Sequence, residues 1–150
     1  MVQNQLDGLF CFPGGAPEFL EGPKDALYPF GFGLSYTSFE YSNLSISKTG
    51  PFDVTVACTV KNIGSMDGDE VVQLYLDDVE SSVVTPPMLL KGFQRIYLKQ
   101  GECVEVVFRL NEDSFKLMDI RYRWTVEPGK FRILVGAASN DIRLEGEVSL

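Results

Sequence analysis

From Ser38 onwards, apolar and polar side chains alternate with a period of two, and no comparably long helical pattern appears. That alternation fits half-buried strands, because successive side chains in a strand point to opposite faces. The expected strands are Phe39–Lys48, Phe52–Asn62, Glu70–Asp77, Leu90–Leu98, Cys103–Leu110, Arg121–Val126, Lys130–Gly136 and Ile142–Ser149. Turn-forming residues separate them at Gly50-Pro51, Asn62-Ile63-Gly64, Asp67-Gly68, Thr85-Pro86-Pro87, Gln100-Gly101, Pro128-Gly129 and Ser139-Asn140-Asp141. Asn111 is placed to cap a single helical turn whose first residues, Glu112 and Asp113, are acidic as the helix dipole favours. The expectation is an all-β, antiparallel sandwich of two packed sheets, with Val72, Leu74 and Leu76 on one face of their strand and Gln73, Tyr75 and Asp77 on the other. Trp124, the only tryptophan, is expected as a core or corner residue in preference to a sugar-stacking one.

Residues 1–37 read differently. Leu6, Phe10, Phe12, Phe19, Leu27, Tyr28, Phe30 and Phe32 occur without period among closely spaced glycines and prolines. Such a stretch cannot form regular structure, yet it is too apolar for a solvated linker. It must lie against something, and a neighbouring domain is preferred over its own sandwich. The division expected is an irregular apolar leader over 1–37 and a sandwich over 38–150, with self-association through the leader as a further consequence.

Composition removes several function classes. The 150 residues contain no histidine, which excludes Ser-His-Asp and Cys-His catalysis and histidine-ligated zinc. A net charge of −8 disfavours nucleic acid and anionic lipid surfaces as partners. No apolar run approaches membrane-spanning length, and Met1–Leu9 lacks the layout of a signal peptide. Strand parity points Cys58 inward and Cys103 outward, and Cys11 has no evident partner; free thiols and a reducing, cytoplasmic compartment are expected.

The acidic clusters Asp67/Asp69/Glu70, Asp77/Asp78/Glu80 and Glu112/Asp113 fall in turns or at strand ends, where solvated carboxylates are the ordinary reading. None has EF-hand spacing, so no metal or cofactor is expected. Asn43-Leu44-Ser45 fits the N-glycosylation triplet. Arg121, Arg123 and Arg132 are expected to pair across strands with Glu127 or Glu105.

Five ordered blocks carry a family resemblance. They are Leu27-Tyr28-Pro29-Phe30-Gly31-Phe32-Gly33-Leu34-Ser35-Tyr36, then Val60-Lys61-Asn62-Ile63-Gly64, Asp67-Gly68-Asp69-Glu70-Val71-Val72-Gln73-Leu74-Tyr75, Leu90-Lys91-Gly92-Phe93-Gln94-Arg95, and Trp124-Thr125-Val126-Glu127-Pro128-Gly129-Lys130-Phe131. From Ala26 the chain resembles the C-terminal fibronectin type III-like domain of glycoside hydrolase family 3 enzymes, the β-glucosidases and β-xylosidases. The resemblance implies an immunoglobulin-like sandwich of about 7–8 strands. It also implies a noncatalytic role, because the family's nucleophile and acid/base lie in barrel and α/β domains with no counterpart here. A piece of a larger polypeptide is the expectation, with those catalytic domains as partner. Tyr28, Pro29, Phe30, Gly31, Phe32, Gly33, Leu34 and Tyr36 are the expected docking strip, the two glycines allowing positive φ or close approach. An alternative is a carbohydrate-binding face built on Tyr75, Tyr97 and Tyr122, or a protein-interaction sandwich.

Overall fold

The computed structural model describes residues 26–150. The part of the leader before Ala26, with Cys11, lies outside the described residues. Nine strands follow: β1 (Phe39–Lys48), β2 (Val54–Asn62), β3 (Gly68–Asp78), β4 (Leu89–Leu98), β5 (Cys103–Leu110), β6 (Leu117–Met118), β7 (Trp124–Thr125), β8 (Lys130–Ala138) and β9 (Asp141–Ser149). A single helical turn, α1 (Glu112–Phe115), joins β5 to β6. Every pairing is antiparallel. One sheet has the order β1-β2-β5, the second β4-β3-β8-β9, and β6-β7 form a separate hairpin.

The two large sheets face each other across one core. Val54, Val56, Cys58 and Val60 of β2, with Val106, Phe108 and Leu110 of β5, meet Val72, Leu74, Leu76, Phe131, Ile133 and Val135 from the facing sheet. These are the parity sets read from the sequence, because a period-two strand places its even or odd positions on one face without exception until a bulge intervenes. Irregularities do intervene: at Ser42/Ser45 in β1, in β4 opposite Leu74/Tyr75 where Lys91 is the extra residue, and on either side of Gly136 in the β8–β9 pairing. The first puts Asn43 at φ 54, a left-handed conformation that asparagine tolerates better than most residues. Arg143 closes the β1–β9 flank: its guanidinium lies 4.7 Å from the Tyr41 ring centroid and donates 2.9 Å to the Phe39 carbonyl.

Several expectations need correction. Arg121–Val126 is not one strand but the descending arm of the β6–β7 hairpin, and Trp124 is 65% exposed, not in the core. Pro128-Gly129 joins β7 to β8, which belong to different sheets. At Gly64 a Cβ would fall 2.1 Å from Thr37 Oγ1, so close approach is the reason for glycine. The arginines pair elsewhere: Arg123 with Asp119 and Arg132 with Asp77 and Glu145, while Glu127 accepts from Ser82.

Candidate docking site

The stretch from Leu27 to Ser38 crosses the outside of the β4-β3-β8-β9 sheet without forming strand or helix. It is nonetheless fixed at three places. Phe32 N donates 3.0 Å to the Pro29 carbonyl, closing a turn whose third residue, Gly31, sits at φ 79. Gln73 then reaches up from β3: its Nε2 donates 3.1 Å to the Gly31 carbonyl and also to the Ala137 carbonyl, while its Oε1 accepts from Tyr75 Oη. A Cβ on Gly31 would lie 2.1 Å from that Oε1, so glycine is required there for both backbone conformation and space. Ser139 N completes this anchor by donating 2.9 Å to the Phe30 carbonyl. Further along, Thr37 Oγ1 donates 2.6 Å to Asn62 Oδ1, and Ile63 N donates 2.9 Å to the Ser38 carbonyl.

Gln73, Tyr75 and Asp77 are all buried although they face away from the core. The strip is the reason at Gln73, while Asp77 is covered through its pairing with Arg132. Gly33, by contrast, has neither positive φ nor any neighbour within 4 Å of a Cβ position.

What the pinned strip presents to solvent is apolar. Leu27 is 81% exposed, Tyr28 70%, Phe30 61%, Leu34 90% and Tyr36 94%. Tyr28 and Phe32 pack ring to ring at 5.5 Å. Between the strip and the sheet runs a groove of about 750 Å³, with Phe30, Phe32 and Phe93 among its apolar walls and Glu70, Asp141 and Arg143 at its charged end. Desolvation pushes the Glu70 carboxyl up from the usual range, and the Arg143 guanidinium opposes that shift. Glu70 Oε1 accepts from the Val71 amide at 3.1 Å.

The acidic clusters are spent on structure. Asp67 accepts from Tyr97 Oη and the Gln100 amide, Asp69 pairs with Arg95, and Asp77 with Arg132. Among the described residues no three carboxylates or cysteines converge as a metal site, and no helix is long and apolar enough to cross a membrane. The three tyrosines of the sugar-binding alternative lie apart. Tyr75 is buried against Gln73, Tyr97 is 58% exposed and tied to Asp67, and Tyr122 is 86% exposed on the β6–β7 hairpin.

The expected strip, Tyr28–Tyr36, does not include its latch at Gln73. The available signal was Gln73 itself, a lone amide inside Val71-Val72-Gln73-Leu74-Tyr75, since a polar residue in an apolar run is retained where it has partners.

The fold, and a match of residues 70–139 to the fibronectin type III-like domain, define the class of the chain. It carries a fibronectin type III-like β-sandwich. More particularly, it is similar to one segment of glycoside hydrolase family 3 enzymes. It is 45% identical over 128 residues to thermostable β-glucosidase B of Acetivibrio thermocellus, a match covering 83% of this chain and 17% of that protein. It is 44% identical to a β-xylosidase of Formosa agariphila, over 83% of this chain and 18% of the relative. Among solved structures, the family 3 β-glucosidase of Bifidobacterium adolescentis superposes with a TM-score of 0.79 at 39% identity, covering 82% of this chain and 18% of that one. The chain thus spans less than a fifth of the length of these relatives.

Proposed function

We propose that this chain is a noncatalytic accessory domain of a family 3 glycoside hydrolase, holding to the catalytic domains through Tyr28–Tyr36. On this reading residues 1–37 are the connection and residues 38–150 the sandwich. The observation that carries it is the combination at the strip: a backbone fixed by Gln73, Ser139 and Asn62, displaying large apolar side chains to solvent. Rings held in place for water alone have no physical return, whereas rigid apolar side chains lose little freedom when a partner covers them. The names of the relatives, β-glucosidase and β-xylosidase, supply the partner class: domains that hydrolyse terminal β-linked sugars.

The test is binding in trans. The chain is titrated into the catalytic portion of a family 3 β-glucosidase from which the equivalent domain has been removed, and association is followed calorimetrically. Binding that is lost in a Phe30→Ser/Tyr36→Ser variant supports the reading; absence of binding, or undiminished binding by that variant, overturns it. In parallel, the chain is incubated with aryl β-glucosides and β-xylosides. Turnover abolished by a single Asp or Glu substitution in this chain would refute the noncatalytic role.

A further inference from the structure

The other end of the sandwich holds a second set of exposed rings that docking through the strip leaves unused. The β6–β7 hairpin, Leu117–Thr125, stands beyond the Asp78 end of β3, with Leu117 buried at its root beside Asp78 and Phe131. From Gln73, where the strip is latched, to Asp78 is a strand path of about 16 Å. The hairpin tip carries Ile120 at 82% exposure, Tyr122 at 86% and Trp124 at 65%.

This tip is tightly built. Asp119 Oδ1 accepts from the amides of Arg121 (2.8 Å) and Arg123 (3.0 Å), and its Oδ2 accepts from Arg123 Nε and Nη2 at 3.1 and 2.8 Å. Asp119 N donates 2.9 Å to the Arg123 carbonyl, and Tyr122 N donates 3.0 Å to the Asp119 carbonyl. Tyr122 is held at φ 59, a conformation aromatic residues rarely adopt and which persists only where the surroundings impose it. Preset aromatic rings of this kind give a partner large contact area at small entropic loss.

Charge selects the partner. Arg123 is neutralised by Asp119, while the Arg121 side chain enters no ion pair or hydrogen bond among the described residues. Arg121 is thus left available to an anionic group, although Glu127 lies near Asp119 and the chain carries a net charge of −8. A densely charged polyanion would be repelled by the rest of the surface. A ligand with flat apolar faces and widely spaced carboxylates would not.

We propose that the Asp119–Trp124 tip binds a polysaccharide bearing uronate groups, pyranose faces stacking on Tyr122 and Trp124 and a carboxylate pairing with Arg121. Flat C–H faces suit the aromatic rings, and a planar guanidinium matches a carboxylate bidentately. The surface is separate from the strip, so the two readings stand or fall independently.

Trp124 is the only tryptophan of the chain, so its emission reports on this tip alone. The full chain is titrated with glucuronoxylan, and with the same polymer after carboxyl reduction. A saturating blue shift is expected with the first, with affinity about tenfold weaker for the reduced polymer and for Arg121→Gln, and about tenfold weaker for Tyr122→Ala. Circular dichroism and thermal midpoints of these variants should match the parent, as both side chains are exposed. Trp124→Ala, which removes the reporter, is scored by loss of retardation in gels containing glucuronoxylan. The proposal is overturned by no shift with glucuronoxylan, or by equal affinity of the parent and both variants. A shift that follows protein concentration without glycan marks the tip as a self-contact and overturns it too.

Discussion

Asn62 makes hydrogen bonds to Thr37, Gly64, Met66 and Leu98 through one side-chain amide, with no exposure to solvent. Replacing it by alanine strands a buried carbonyl at Leu98 and frees Thr37, so Asn62→Ala should lose about 3 kcal/mol in urea unfolding. Gly31→Ala acts more locally. Its φ of 79 and the close approach of Gln73 should make it lose about 1–2 kcal/mol, with proteolysis between Tyr28 and Tyr36 rising more than global unfolding accounts for. The cysteines diverge as parity implies. Cys58 is buried and its thiol is pushed up to about 11 by desolvation, then by Glu105, whereas Cys103 is exposed. Mass spectrometry after brief alkylation at pH 8 should therefore show Cys103 modified and Cys58 intact until urea is added. Asn62 was legible only as a turn former, because its reach to Leu98 depends on a strand that lies 36 residues away.

At the scale of elements, β3 and the β6–β7 hairpin separate what patterning can show from what it cannot. The bounds of β1 and β5 match the alternation, since nothing competes with a period-two face that has one core to meet. β3 exceeds it, because burial of Gln73 on the outer face comes from a strip more than 30 residues earlier that no local window contains, and Asp77 is covered through its pairing with Arg132. The hairpin inverts it. Arg121-Tyr122-Arg123-Trp124 alternates like a strand, but the alternation is that of an aspartate-clasped turn, so the expected core tryptophan is exposed. Asp119→Ala should accordingly accelerate hydrogen exchange at the Tyr122 and Arg123 amides while shifting global stability by less than about 1 kcal/mol, as befits a turn outside the core whose arginine partner is exposed.

For the whole molecule, two sheets pressed around one core make stability sensitive to alkali. Burial raises the Cys58 thiol and the Tyr41 and Tyr75 phenols above their ordinary values. The folded state therefore retains protons that the unfolded chain releases, and the contribution of these groups is complete below their unfolded values and declines as pH climbs towards the folded ones. The urea midpoint should hold steady from pH 7 to about 8.5 and fall beyond about 9. The fold class was legible because alternation and turn residues agree along the chain; the Tyr28–Tyr36 strip was legible only as an apolar stretch without period. A last consequence follows from Gln73. Tension entering through Leu27 would reach a strand flanked by neighbours on both sides, β4 and β8, instead of peeling an outer one. Such loading is resisted by many bonds at once, so the joint should behave as a stiff hinge pin in single-molecule pulling, and a Gln73→Ala chain should yield its strip at lower force before the sheets part.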